Sequence, residues 1–152
     1  MIIPDVVRNM VSELGTLLGL PGAALDDEGY CGLLFDGRTQ VGLQYHPSSR
    51  ELVVFSALGT VGFEVREEAY VTMLRANRFW VGTGGATLSL EDGEPPVAVL
   101  AQSLVCEGKD GAGLADDIAR FVAMAEQWAE YLSGAGSATT PAAEPPAFGL
   151  RA

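Results

Sequence analysis

The stretch from Leu74 to Leu90, LRANRFWVGTGGATLSL, limits the folds open to this chain more than any other segment. Apolar residues at three- and four-residue spacing lead into it and predict a helix that ends at Asn77, a residue type that tolerates positive φ. The residues Gly82-Thr83-Gly84-Gly85 then interrupt the chain, and the residues from Ala86 to Leu90 alternate as in a half-buried strand. This order of helix, glycine break and strand divides the chain into two halves.

The glycine break does not have the surroundings of a phosphate-binding loop. Such loops place glycines after a strand and before a helix, so that backbone amides and the helix dipole face the anion. Here the order is reversed and no Lys lies nearby. We therefore interpret the break as a turn that needs glycine conformations, and we predict no cofactor.

The patterns on both sides of the break predict an α+β fold in the order α-β-β-β-α-β-β-α. Amphipathic spacing predicts helices over residues 4–18, 64–76 and 114–132. Alternating or continuous apolar runs predict strands over residues 30–35, 40–45, 51–58, 86–91 and 97–106. Asp36-Gly37 and Asp92-Gly93 are hairpin signals, so the sheet should be twisted, five-stranded and largely antiparallel, with helices 1 and 3 covering it.

Three of the predicted elements are unusually apolar. The strand over residues 51–58 has apolar side chains on both faces, and residues 97–106 are almost continuously apolar. Such runs are typical of strands that are covered on both faces. Helix 3 carries two apolar stripes, so either it sinks into a groove of its own domain or something beyond the sheet covers part of it.

Charge excludes several classes of partner. The chain has 20 Asp and Glu against 9 Lys and Arg, a net charge of −11. Without a basic stripe to displace counterions, we predict no nucleic-acid partner and no attraction to anionic membranes. No apolar run approaches the ~18 residues of a membrane span, and the N-terminus lacks the pattern of a signal peptide. We expect a soluble cytoplasmic protein that does not insert into membranes.

Length and composition predict one folded domain and a tail. Residues 1–133 carry all the periodic apolar patterns, whereas residues 134–152 are rich in Ala and Pro without periodicity. Such a segment cannot offset its ordering entropy by burial, so we predict a disordered tail that is dispensable for stability. Phe148 and Leu150 are its only apolar pair of note, and a lone pair is weak evidence for docking.

Candidate catalytic residues are few. Cys31 and Cys106 lie within apolar strand-like runs, and the only histidine, His46, precedes Pro47 in a predicted turn. No cluster of Cys and His has zinc-ligand spacing, and the acidic turns do not continue as calcium loops do. We predict that the chain is not an enzyme and holds no metal. The alternative is a small-molecule enzyme that uses Cys31 or His46.

Five features of the chain belong together: the strand order, the acidity, the amphipathic first helix, the ML-x-AN ending of helix 2 and the GG-x-x-L-x-L strand at Gly84–Leu90. In this combination the chain resembles class I type III secretion chaperones, the Tir-chaperone (CesT-like) family. The resemblance covers about residues 4–132. It implies a homodimeric, non-enzymatic protein of the bacterial cytosol that holds an extended N-terminal segment of one or more effectors, keeps it secretion-competent and delivers it to the secretion ATPase. The runner-up hypothesis is a regulatory or scaffolding module of the same fold with a folded partner.

The resemblance also indicates where partners bind. It places the dimer contact on helix 2 and strand 4, with these candidates: Tyr70, Met73, Leu74, Phe79, Trp80 and Leu88. Client-binding candidates are apolar positions of helix 1 and the first two strands: Leu17, Leu20, Leu33, Phe35, Val41 and Leu43. Some of these must pack inside, and a one-residue slip in register would exchange the two faces.

Overall fold

The computed structural model of the protein describes residues 1–134. Its helices and strands are α1 Asp5–Leu17, β1 Tyr30–Phe35, β2 Thr39–His46, β3 Glu51–Thr60, α2 Arg66–Asn77, β4 Thr87–Glu91, β5 Val97–Val105 and α3 Gly111–Ser133. Short 3-10 turns at Phe63–Val65 and Arg78–Trp80 flank α2. The predicted element order is confirmed. The predicted tail, with Phe148 and Leu150, lies outside the described residues except for Gly134.

The five strands form one sheet in the order β1-β2-β3-β5-β4, with α1 and α3 packed on it. The pairs β1–β2, β2–β3 and β4–β5 are antiparallel, and Gly32 lies opposite Gly42, which lies opposite Phe55. The turn between β1 and β2 has φ values of 53° at Asp36 and 69° at Gly37, as the hairpin signal predicts. The predicted α+β fold class is confirmed.

The chain divides into two compact units. Unit 1 comprises Met1–Ser56 and Gln102–Val122, and unit 2 comprises Ala57–Ala101 and the described residues from Ala123 onwards. The prediction of a single domain over residues 1–133 stays a prediction.

Unit 1 is built around α1, the first three strands and the start of α3. Val11 and Leu14 on α1 are fully buried, as is Ile118 on α3. The backbone N–H of Gly111 donates to the Glu13 carboxylate at 3.2 Å, so α1 supplies an acceptor for the otherwise unpaired first turn of α3. A Cβ atom at Gly111 would lie 2.6 Å from the Glu13 side chain, which explains the glycine there.

Unit 2 is built around a buried tryptophan. Trp128 on α3 is fully buried, and its indole N–H donates to the Gly82 carbonyl at 3.0 Å. The buried Thr83 hydroxyl bonds to the Ala86 carbonyl, and a Cβ atom at Gly82 would lie 2.6 Å from that of Ala76. The glycine break is therefore a tightly packed turn beneath Trp128, as its interpretation as a turn requires.

The expected positive φ at Asn77 is wrong. Asn77 has φ −68°, and the left-handed residues are instead Phe79 and Trp80, at 53° and 56°. The Asn77 side chain has another role: its amide N–H donates to the Leu88 carbonyl at 3.0 Å, and its oxygen accepts from the Leu88 N–H at 2.8 Å. The left-handed backbone conformation therefore begins at Phe79, two residues after the predicted position at Asn77.

The expectation that two strands are covered on both faces is also wrong. Val105 on β5 is 56% exposed, and Val53 and Phe55 on β3 are only half-buried. A continuous apolar run predicts burial on both faces only if something covers each face, and the sequence does not supply that cover. The second stripe of α3 does pack within its own unit, where Trp128 and Tyr131 are buried in edge-to-face contact.

Candidate interaction surfaces

The first strand separates core from surface by strict alternation. Cys31 and Leu33 are buried, whereas Tyr30 and Leu34 are 42% and 47% exposed. Because residues paired across antiparallel strands share a face, Phe55 lies on the same outward face through the pairing of Gly32 with Gly42 and of Gly42 with Phe55. We call Tyr30, Leu34, Val53 and Phe55 the outer sheet face.

Two glycines make this outer sheet face flat. A Cβ atom at Gly42 would lie 2.4 Å from the Phe55 ring, and one at Gly32 would lie 3.1 Å from the Tyr30 hydroxyl. The rings of Tyr30 and Phe55 therefore lie over backbone, with centroids 6.4 Å apart. The result is an apolar, partly aromatic surface on a strongly charged protein, the character of an interaction surface.

The end of α1 offers a second apolar position in unit 1. Leu17 is more than half exposed and Leu20 is half-buried. The Leu20 N–H donates to the Gly15 carbonyl at 2.7 Å, and a Cβ atom at Gly15 would lie 2.6 Å from that of Ala23. This tight turn after the helix fixes both leucines at the unit's surface.

The six client-binding candidates divide by burial. Leu17 is exposed, and Leu20 and Phe35 are half-buried. Leu33, Val41 and Leu43 are buried in the core of unit 1, so a partner cannot reach them in this conformation. Of the six candidates, only Leu17, Leu20 and Phe35 are accessible, and client binding at these three residues stays a prediction.

Sequence reasoning missed Tyr30, Leu34 and Phe55 as surface candidates. The alternation of β1 places Tyr30 and Leu34 opposite Cys31 and Leu33, but it does not say which set the helices cover. A usable signal was the pair of glycines at Gly32 and Gly42, because aromatic side chains commonly pack over strand glycines.

In unit 2, α2 is apolar on two faces. Ala69, Met73 and Ala76 are buried towards the unit, while Val71 and Leu74 point outwards at 41% and 70% exposure. A helix with apolar residues on its outward face is typical of an element that a partner covers.

The turn after α2 presents two aromatic side chains. Phe79 and Trp80 adopt left-handed backbone conformations, which cost of order 1–2 kcal/mol for residues with a Cβ atom. The Arg78 guanidinium lies 5.3 Å from the centroid of the Phe79 ring, and the Trp80 indole N–H donates to the Thr87 hydroxyl at 3.4 Å. Both rings nevertheless remain substantially exposed.

The six dimer candidates also divide by burial. Leu74, Phe79 and Trp80 are exposed and Tyr70 is half-buried. Met73 and Leu88 are buried within unit 2. All six positions stay predicted interface residues.

The two thiols have the setting of core residues. Cys31 and Cys106 are buried, and desolvation by that burial raises the pKa of each thiol, chiefly offset by a backbone hydrogen bond. Reactive cysteines have instead a lowered pKa and partial exposure. His46 is exposed at the end of β2, opposite Glu51. Residues 1–134 contain no group of three or more His, Cys, Asp or Glu placed to hold a metal ion.

Within the described part of the chain, no helix combines the length and apolar character needed to cross a bilayer.

Comparison with solved structures finds chains that share this fold. A chain of the ExsC–ExsE complex is 23% identical, covering 87% of this chain and 97% of that one, with a TM-score of 0.71. A chain of the HopA1–SchA chaperone–effector complex is 16% identical over 82% and 94%, with a TM-score of 0.66. A chain of the complex between the Yersinia pestis type III secretion chaperone SycH and a fragment of YscM2 is 23% identical over 78% and 95%, with a TM-score of 0.63.

Family assignment rests on the sequence itself. A search of curated proteins finds no match. The model of the Tir chaperone protein (CesT) family, however, matches residues 9–129, most of the chain. The chain therefore belongs to the Tir chaperone protein (CesT) family, as its sequence resemblance predicts.

Proposed function

We propose that the protein is a type III secretion chaperone that binds an extended N-terminal segment of one or more effectors in the bacterial cytosol and keeps it secretion-competent. Membership of a chaperone family supports this function. So does the fold shared with a chain of the HopA1–SchA chaperone–effector complex and with a chain of the ExoU–SpcU complex from the type III secretion system of Pseudomonas aeruginosa. Delivery to the secretion ATPase belongs to the same proposal.

The observation that carries the proposal is the outer sheet face. Its side chains are apolar and accessible, although the chain as a whole has a net charge of −11. Exposed apolar area on a monomer is typically kept for a partner. An extended client segment can pack alternate apolar side chains onto such a surface. While the segment is held extended, it cannot fold. Leu17 and Leu20 are further apolar contacts for the client.

This function requires binding and no bond-making chemistry. The family is one of chaperones, and both thiols are buried with raised pKa values. We therefore propose that the protein is not an enzyme and acts by holding its client.

A single substitution on the outer sheet face tests the proposal. Leu34→Glu places a charge where the client's apolar side chains bind, and we expect binding to weaken by about 1–3 kcal/mol, as at interface hot spots. Because Leu34 is 47% exposed, the melting temperature should change little. The tagged chaperone is expressed in its own bacterium and purified. The measurement is the amount of secreted protein that co-purifies with it by binding through the N-terminal segment of that secreted protein.

Ile2→Glu is the matched control, because Ile2 is an exposed aliphatic residue of unit 1 outside the sheet. The control should retain the client. Equal recovery by wild type, Leu34→Glu and Ile2→Glu would exclude the outer sheet face as the client site.

We also propose that the protein is a homodimer formed through the outward face of α2. Glu67, Val71, Leu74 and Arg78 recur at spacings of four, three and four residues and so form one stripe. In a twofold pair of antiparallel α2 helices, Glu67 meets Arg78 of the second copy, and Val71 meets Leu74 of the second copy. The stripe is therefore self-complementary in both charge and apolarity, as a twofold interface must be.

A further inference from the structure

Two aromatic rings are exposed at the turn after α2. We call Phe79 and Trp80 the aromatic turn; their side chains are 42% and 53% exposed. Both residues have positive φ, a conformation that costs free energy for any residue with a Cβ atom. The Trp80 indole N–H donates to the Thr87 hydroxyl at the start of β4, which orients that ring. Strained residues of this kind cluster at sites that bind a ligand, so the aromatic turn is a candidate binding surface of unit 2.

The end of α3 lies close to the aromatic turn, within the same unit. The Trp128 indole donates to the carbonyl of Gly82, which follows Trp80 by two residues. Helical hydrogen bonding continues from there to Gly134, the last described residue. At a rise of 1.5 Å per residue, α3 extends about 9 Å beyond Trp128. Residues 135–152 therefore begin within roughly 30 Å of Trp80.

The chain that follows α3 carries a segment whose chemistry matches two aromatic rings. Residues 145–150 read Pro-Pro-Ala-Phe-Gly-Leu. A proline pair favours an extended backbone, and such segments dock on aromatic surfaces because they lose little entropy on binding. In an extended segment, the two-residue spacing of Phe148 and Leu150 puts both side chains on one face. Residues 135–144 can span up to about 36 Å, which is enough to bring the segment to the aromatic turn.

We propose that residues 145–150 dock on the aromatic turn of their own chain, with Phe148 and the proline pair packed against the two rings. In the sequence alone Phe148 and Leu150 have no surface to dock on; the aromatic turn supplies one. The tether raises the local concentration of the segment to the millimolar range, so a contact of low intrinsic affinity is populated. A partner that uses these rings must displace the segment.

The alternative occupant of the aromatic turn is a second copy of the chain, because Phe79 and Trp80 are also dimer candidates. The stripe proposed for the dimer ends at Arg78, just before the two rings. The docking of residues 145–150 does not depend on client binding, so the two proposals can fail separately.

Tryptophan fluorescence of the full-length chain tests the contact. The chain has two tryptophans, and Trp128 is fully buried, so acrylamide in solution quenches chiefly Trp80. Phe148→Asp removes the ring from the contact and adds a charge, and we expect it to raise the quenching of Trp80 about twofold or more. Thr139→Asp is the matched control, because it adds the same charge outside residues 145–150. It should be quenched like the wild type, and all three chains should melt alike.

A free peptide supplies the second measurement. A synthetic peptide with the sequence of residues 135–152, added to the Phe148→Asp chain at roughly millimolar concentration, should restore the protection of Trp80. The same peptide carrying Phe148→Asp should not. Equal quenching of the wild type, Phe148→Asp and Thr139→Asp would assign the rings to solvent or to a second copy and would overturn the proposal. A wild-type peptide that protects Trp80 no better than its variant would overturn it as well.

Discussion

Leu74→Asp should convert the protein from a dimer into a monomer. Light scattering at micromolar concentration should give about twice 15.9 kDa for the wild type and 15.9 kDa for the variant. In the proposed dimer, Leu74 is buried against Val71 of the second copy, and an unpaired carboxylate there costs several kcal/mol. In the monomer Leu74 is 70% exposed, so the variant should stay folded.

Val6→Asp is the control, because it adds the same charge as Leu74→Asp. Val6 is an exposed aliphatic residue on a helix of unit 1. The control should leave the dimer intact. A charge exchange tests the geometry: Glu67→Arg should weaken the dimer, and adding Arg78→Glu should restore it if the two α2 helices run antiparallel. A wild type that scatters as a monomer at every concentration would contradict the dimer outright.

Trp128→Ala should cost about 3–5 kcal/mol of the free energy of unfolding, since it empties a fully buried site. That is a large share of the 5–15 kcal/mol typical of a folded domain. For a chain of this length, the melting temperature should fall by roughly 10 °C or more. The loss also frees the turn at Gly82, whose carbonyl accepts from the Trp128 indole. Thermal unfolding followed by circular dichroism measures the effect.

Two phenylalanine variants separate the contributions. Trp128→Phe keeps most of the ring volume and removes the bond to Gly82, so it should cost about 1–3 kcal/mol. Trp80→Phe makes the same chemical change at a half-exposed ring and should leave the melting temperature nearly unchanged. If Trp128→Ala melted like Trp80→Phe, Trp128 would not be the centre of the unit 2 core.

Local sequence patterns predict most of the fold because each pattern has a single physical cause. The alternation of β1 reports which side chains share a face, and the Asp36-Gly37 turn reports its own backbone conformation. Neither of these two patterns predicts which face of the sheet the helices cover. Leu33, Val41 and Leu43 were therefore equivalent to Leu34 and Phe55 until the position of the helices was known.

Other features depend on contacts between residues distant in sequence. Asn is a residue type that often ends a helix in the left-handed conformation. The Asn77 side chain instead forms hydrogen bonds with the backbone of Leu88, eleven residues away. The left-handed conformation then falls on Phe79 and Trp80, residues that no propensity scale would select.

The most direct test of the central claim divides a client in two. Calorimetric titration of the purified chaperone would use the N-terminal segment of the recovered secreted protein and, separately, the remainder of that protein without the segment. The account predicts that the segment binds, that Leu34→Glu weakens this binding, and that the remainder gives no signal. Binding confined to the folded remainder would contradict the chaperone function and favour a module that recognises a folded partner.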